Sequence, residues 1–304
     1  LGLRFDQQQG ESGTTIAAAN PAFPELLPAT LVRGRGPDFR WRSFAPRLGA
    51  AWALDDERRS IVRASYSRFA SQLNTTLVDR LNPLATASVT LGFEDADGDG
   101  LYDPQETSFL LSSQGVDPTN PSALGTPNQT DPGLRPELTD ELTLAWERLV
   151  RPEVSFGIRV TYREVHDILE ARRLVRTPDG TVREATTEDY HLDRVLEGFL
   201  PFSGFYRVPV YSLDSRYTPT GGQRLVNGDR RQEYQGLTFQ VTRRLSGGWM
   251  FRGNATWNDW RWRVGREYSR FADPTDLALG SNEGRDGDRN GEIVTELAPG
   301  SDLT

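Results

Sequence analysis

Residues 154–163 read Val-Ser-Phe-Gly-Ile-Arg-Val-Thr-Tyr-Arg. Val154, Phe156, Ile158, Val160 and Tyr162 are apolar or aromatic, and Ser155, Gly157, Arg159, Thr161 and Arg163 between them are small or polar. Successive side chains of an extended chain point to opposite faces, so this strict period of two encodes a strand with one apolar side and one polar side. The pattern recurs along the chain. Leu1, Leu3 and Phe5 alternate with Gly2, Arg4 and Asp6, and Phe44, Pro46, Leu48, Ala50, Trp52 and Leu54 alternate with Ser43, Ala45, Arg47, Gly49, Ala51 and Ala53. Val62, Ala64 and Tyr66 oppose Arg63, Ser65 and Ser67, and Leu142, Leu144 and Trp146 oppose Glu141, Thr143, Ala145 and Glu147. Leu237, Phe239 and Val241 oppose Thr238, Gln240 and Thr242, and Trp249, Phe251, Gly253, Ala255 and Trp257 oppose Met250, Arg252, Asn254, Thr256 and Asn258. The sum is roughly seven strands of about ten residues, the length a tilted strand needs to cross a bilayer.

The connections sharpen this. Those at 55–60, 148–153 and 245–248 are short, and they alternate with long segments at 7–42, 71–140, 171–234 and from 258 onward. Bare connections beyond ~15 residues are uncommon in compact water-soluble domains. A regular order of tight turns on one side and long loops on the other is the habit of outer-membrane barrels. The expected fold is all-β: an antiparallel transmembrane β-barrel segment of about seven strands, with short periplasmic turns and long extracellular loops. Residues 1–304 would form one partial barrel domain, with 71–140 as a long outer loop. Trp52, Tyr66, Trp146, Tyr162, Trp249 and Trp257, at or near strand ends, would form interfacial girdles; the plainer alternative is ordinary core aromatics.

Composition agrees and removes other classes. The 304 residues include no cysteine, so disulfide scaffolds and thiolate metal sites are excluded. All 35 cationic residues are arginine, which removes Schiff-base chemistry and the phosphate-loop lysine. A formal charge of −8 argues against a nucleic-acid partner. Mean hydropathy is −0.57, and the longest apolar run, 48–54, falls far short of the ~18 residues of a membrane helix. Alternating barrel strands keep window averages low, so neither figure speaks against a barrel. The chain opens at Leu1 with no leader pattern, and its sole methionine is Met250, which reads as a segment of something longer.

Residues 44–52, Phe-Ala-Pro-Arg-Leu-Gly-Ala-Ala-Trp, then an acidic turn, then 61–69, Ile-Val-Arg-Ala-Ser-Tyr-Ser-Arg-Phe, resemble a hairpin of TonB-dependent outer-membrane receptors of the Oar-like branch. Residues 131–144, Asp-Pro-Gly-Leu-Arg-Pro-Glu-Leu-Thr-Asp-Glu-Leu-Thr-Leu, and 234–245, beginning Tyr-Gln-Gly-Leu-Thr-Phe, are similar to further strands of that branch, as is the opening Leu-Gly-Leu-Arg-Phe-Asp. The likeness lies in strands and turns and not in the long loops. It implies a barrel of about 22 strands, of which seven are a third, a plug preceding Leu1, and energy coupling through the TonB system by missing N-terminal parts. The implied setting is the outer membrane of a Gram-negative-type bacterium, with membrane lipid around the barrel and an unknown extracellular ligand taken up or exported.

One stretch carries sharper chemistry. Residues 95–106, Asp-Ala-Asp-Gly-Asp-Gly-Leu-Tyr-Asp-Pro-Gln-Glu, match the D-x-D-x-D-G-x5-E calcium-loop pattern throughout. Asp95, Asp97 and Asp99 would converge on a hard cation, Gly100 permits the sharp turn, Leu101 offers its carbonyl, Asp103 fills the ninth position and Glu106 binds bidentately. Residues 94–134 hold eight acidic residues and no basic one, a repulsion that a structural Ca2+ would relieve. Pro104 and the strand context argue against flanking helices, and the alternative is a solvated acidic turn. A second stretch, 286–297, begins the same pattern with Asp286, Asp288 and Asn290 but places Glu296 one position early.

Nothing in the sequence points to an enzyme. His166 and His191, expected at a strand end and in a loop, have no second imidazole at ligand spacing, and no G-x-S-x-G or H-E-x-x-H motif occurs. Asp55 and Asp56 read as turn-capping groups. Arg47, Arg63, Arg159, Arg163 and Arg252 on polar strand faces could line a lumen and meet a plug or an anionic solute; the plainer expectation is cross-strand pairing with Glu141 and Glu147. Two other functions fit the same pattern: a plugless adhesin or pore, and a secreted calcium-stabilised β-sandwich that binds glycans.

Overall fold

In the computed structural model the seven alternating blocks become seven neighbouring strands of one sheet. The structure describes all residues except 35, 83, 85–87, 99, 103–105, 107, 115–119, 121–125, 201–203, 272–273, 275–290 and 296–304. The strands are β1 (Gly2–Gln8), β2 (Trp41–Ala53), β3 (Ser60–Ala70), β4 (Leu138–Arg151), β5 (Val154–His166), β6 (Arg230–Ser246) and β7 (Trp249–Val264). They lie side by side in chain order, each antiparallel to the next. Short turns close one end of the sheet, where the backbone N–H of Arg59 donates to Asp55 Oδ1 at 2.7 Å, as expected of a turn-capping aspartate. All long connections leave from the other end.

Two features differ from the sequence reading. Strand lengths run from seven to 17 residues. β6 and β7 continue past their apolar blocks as a ribbon in which Arg230–Gln235 pair with Asp259–Val264. Alternation marks only where one face is apolar, whereas backbone hydrogen bonding carries on beyond it. The third long connection is therefore 167–229. A short strand, Gly291–Thr295, also pairs with the end of β7, and it runs parallel. A crossover connection of a dozen or more residues permits such pairing, and the 26 residues from 265 to 290 supply it.

Register aligns the faces across the sheet. Ala50, Ala64, Leu144, Val160, Leu237 and Trp257 oppose one another in one row, with Trp52, Val62, Trp146, Ile158, Phe239 and Ala255 in the next. This apolar face is bare: Leu144 is 51% and Trp257 61% exposed. Contiguous apolar surface of this extent is not stable against water. Toward the loop end five of the seven apolar runs stop at a charge, and those of β1 and β6 stop at Gln7 and Gln235. Tyr66 is followed by Arg68, Tyr162 by Glu164 and Trp257 by Asp259, and Leu142 is preceded by Asp140. At the turn end stand Trp52, Trp146, Phe156 and Trp249, with the Trp146 indole donating to Ser60 Oγ at 2.7 Å. The expected aromatic borders are thus in place, Trp257 included, since it is the last residue of its face before a charge.

The main buried cluster lies at the loop end of the sheet, where the long connections close on the first residue of β2. Phe39, Trp41, Leu134 and Leu225 bury one another, with Leu73, Leu77 and Leu169 against them. Around this core stands a four-stranded sheet in the order Val182–Glu184, Leu169–Arg176, Thr218–Asn227, Gln129–Thr130. Three hairpins pair Thr15–Ala17 with Thr30–Val32, Ser88–Phe93 with Ser108–Gln114, and Tyr190–Leu200 with Gly204–Leu213. Trp41 (1% exposed), Ser43 and Ala45 all belong to the polar face of β2, and all are buried. The long connections therefore form a folded cap that leans over the polar face at the loop end.

Candidate functional site

The calcium-type loop closes the hairpin of Ser88–Phe93 and Ser108–Gln114 and has no flanking helix, as expected. Asp95, Asp97 and Glu106 place carboxylate oxygens within 4.8 Å of one another, the one such group of three among the described residues. Asp95 accepts from the backbone N–H groups of Gly98 (2.7 Å) and Gly100 (3.0 Å), and Glu106 Oε1 accepts from that of Ala96 (2.8 Å). Gly100 has φ +76°, the left-handed conformation that the sixth position of such a loop demands and that glycine adopts without strain. Asp99 and Asp103 lie outside the described residues, as does 286–297 apart from the backbone of 291–295. Sequence reading missed the aromatic support beneath the loop. Tyr102 stacks on Phe93 at 5.7 Å and on Phe23, from the first long connection, at 5.3 Å.

Ion pairs knit the rest of the cap. Arg172, buried, meets Glu170 at 2.9 Å and Glu184 at 3.1 Å, and stacks 4.0 Å over Phe271. Burial works against its charge, yet the hydrogen bonds and charges of the two glutamates outweigh this and hold its pKa above the ordinary value. Asp189 is 4% exposed. It accepts from Arg183 at 2.6 and 2.7 Å and from the backbone N–H of Thr186 at 2.7 Å. The Arg183 hydrogen bonds, joined by that of Thr186, pull its carboxyl down to about 2. These pairs join residues that no sequence spacing links.

The polar face of the main sheet forms a second candidate surface. Arg4, Arg47, Arg63, Arg159, Arg163 and Arg252, with Arg230 and Arg244 at the two ends of β6, face this side with Asp6, Glu141 and Glu147, leaving an excess of five positive charges in an acidic chain. The expected cross-strand pairing holds for two of them. Arg63 meets Glu147 at 2.6 Å and Arg163 meets Glu141 at 2.5 Å, while Arg4 meets Asp6 at 2.8 Å. Arg47 lies 5.1 Å over the Phe69 ring. Arg159 and Arg252 have no carboxylate partner among the described residues. Near the loop end Tyr234 and Trp260 meet edge to face at 5.6 Å, with Arg163 5.9 Å over Tyr234. The Tyr234 ring lies across Gly236, where a Cβ would come within 2.7 Å of its hydroxyl.

Among the described residues neither histidine belongs to a group of three potential ligands drawn within 4.8 Å of one another. His166 ends β5 and lies 3.2 Å from both Asp140 and Asp167. His191, expected in a loop, sits in the strand Tyr190–Leu200; the Val195, Leu196 and Phe199 pattern beyond it is too irregular, with a bulge between Leu192 and Arg194, to show as alternation.

A family model described as an outer membrane beta barrel domain matches residues 1–262. The match runs from the first alternating strand nearly to the end of β7 and takes in the cap. No curated protein matches the chain.

Proposed function

The chain belongs to the outer membrane beta barrel domain family, and from that premise we propose that it is the barrel part of a TonB-dependent, Oar-like receptor that moves a ligand across the outer membrane. Its apolar face then meets lipid, its polar face lines the lumen, the turns lie on the periplasmic side and the cap lies outside. The observation that carries the reading is the cap. A simple pore needs only loops that keep its mouth open, but here the long connections share a core built on Trp41 and lean over the lumen side of β2. A folded roof over the mouth suits capture of a particular ligand before it enters.

The loop at 95–106 is proposed to hold a structural Ca2+ through Asp95, Asp97, Asp99, Leu101, Asp103 and Glu106. The motif, the convergence of Asp95, Asp97 and Glu106, and the left-handed Gly100 support this. A bound cation would cancel the repulsion of the acidic stretch and fix the hairpin on its Tyr102 support. No catalytic role is proposed for any residue.

The test is association of the full-length gene product, in detergent, with the purified periplasmic domain of the same organism's TonB. Co-elution is expected. A well-folded product that fails to bind TonB, and that gives ion conductance in planar bilayers, would replace the receptor by a plugless pore or adhesin.

A further inference from the structure

We propose that the lumen wall of this sheet gathers small anionic solutes from the aqueous phase, with Arg159 and Arg252 as its principal charges. The proposal rests on the barrel reading above and requires water along this wall of the lumen, beside a plug or in a passive pore, but it does not depend on the coupling to TonB.

The argument begins with the asymmetry of charge. The chain carries −8 overall, and residues 94–134 of the outer part are acidic without relief. The lumen face of β1–β7 has the opposite sign, with eight arginines against three carboxylates. The carboxylates are all engaged, by Arg4, Arg63 and Arg163. What remains is Arg47, held against the Phe69 ring, Arg230, held over Trp262 and on the Leu169 carbonyl, Arg244 at the turn end, and, within the span, Arg159 and Arg252.

Placement matters as much as number. Arg159 stands beside Ala145 and Thr238, with Thr256 next in its row. Arg252 stands beside Thr242, which also faces Ser155 of the strand of Arg159. Their direct cross-strand neighbours are therefore hydroxyl-bearing or small residues, and the carboxylate diagonal to Arg159, Glu147, is already held by Arg63. Arg159 is exposed to the lumen. A guanidinium offers five N–H donors in a fixed fork that suits carboxylate and phosphate groups. In a channel walled by protein, field lines are focused along the lumen and raise the local concentration of counter-ions. Charge complementarity thus selects an anionic solute as occupant.

The tryptophans give the readout. Trp260 and Trp262 lie on the lumen face of β7, Trp41 is buried, and Trp52, Trp146, Trp249 and Trp257 lie on the lipid face. Quenching by aqueous ions at this wall is therefore read as the difference between the parent and the variant Trp260→Phe, Trp262→Phe, in which every other tryptophan of the full-length protein cancels. The experiment uses the full-length protein in lipid vesicles, with iodide and caesium as quenchers, each normalised to free N-acetyltryptophanamide. At ~20 mM ionic strength the iodide constant should exceed that of caesium by about threefold or more, and the two should converge near ~0.5 M salt. The double variant Arg159→Gln, Arg252→Gln should lose most of the preference while keeping heat-modifiable gel mobility. The variant Trp260→Phe, Trp262→Phe should lose the iodide-sensitive emission. Equal quenching by the two ions, or exclusion of both by a filled lumen, overturns the proposal, as does a preference untouched by removing the two arginines.

Discussion

An arginine placed at Leu144 tests the assignment of faces directly. Leu144 is the middle apolar residue of β4, flanked along its strand by Leu142 and Trp146 and across it by Ala64 and Val160. The apolar run of the neighbouring β5, Val154 to Tyr162, takes eight steps of ~3.4 Å, which at a tilt near ~40° is roughly 20 Å of depth. Leu144 opposes Val160, two steps from Tyr162 and six from Val154, so it lies about 5 Å inside the loop-side border and roughly 15 Å from the other, and an arginine side chain of roughly 6 Å there reaches water only by stretching toward the loop end. At this depth, between midplane and interface, the expected cost of Leu144→Arg is about 1–2.5 kcal/mol, a factor of roughly 5 to 70 in the folding equilibrium. The control is the next residue. Thr143 faces the lumen between Ser65 and Thr161, and Thr143→Arg should stay within about 0.5–1 kcal/mol. Urea titration of the full-length protein in phosphatidylcholine vesicles, followed by gel mobility, measures both. A larger loss for Thr143→Arg, or equal losses, would refute the outward placement of the apolar face and favour a soluble sandwich.

Terbium in place of calcium should luminesce when Tyr102, inside the loop, is excited; Asp95→Asn or Glu106→Gln should each weaken terbium binding by about tenfold or more, and unchanged affinity in both variants would remove the site. Asp189 gives a pH signature. Its carboxyl lies at about 2 in the folded cap against an ordinary 3.8, so its contribution of about 2 kcal/mol is complete above pH ~4 and is lost as pH falls from there through ~2. Protease resistance of the cap should decline over that window in the parent, while Asp189→Asn should be weaker already at neutral pH with the extra decline absent; a parent and variant that fall in parallel would contradict the assignment.

The two-residue period of segments such as 154–163 determined the strands, their faces and their order, because alternation is a local consequence of extended backbone and needs no partner to be visible. The turn and loop ends followed from the lengths of the connections, and the calcium-type loop from spacing alone, since its ligands all fall within twelve residues. The cap was not legible. Phe39 and Trp41 meet Leu134 and Leu225 across some 90 to 190 positions, Arg172 finds Glu184 and Phe271, and Tyr102 finds Phe23, none of them within any periodic pattern. Nor could sequence decide which lumen arginines are neutralised. Arg63 and Arg159 sit in equivalent alternating contexts and flank the same residue, Ala145, from either side, and only the folded side-chain arrangement gives Glu147 to Arg63 and leaves Arg159 to the lumen. Periodic burial against a uniform surround is encoded one strand at a time, whereas pairing between distant charges and rings depends on where the folded chain brings them.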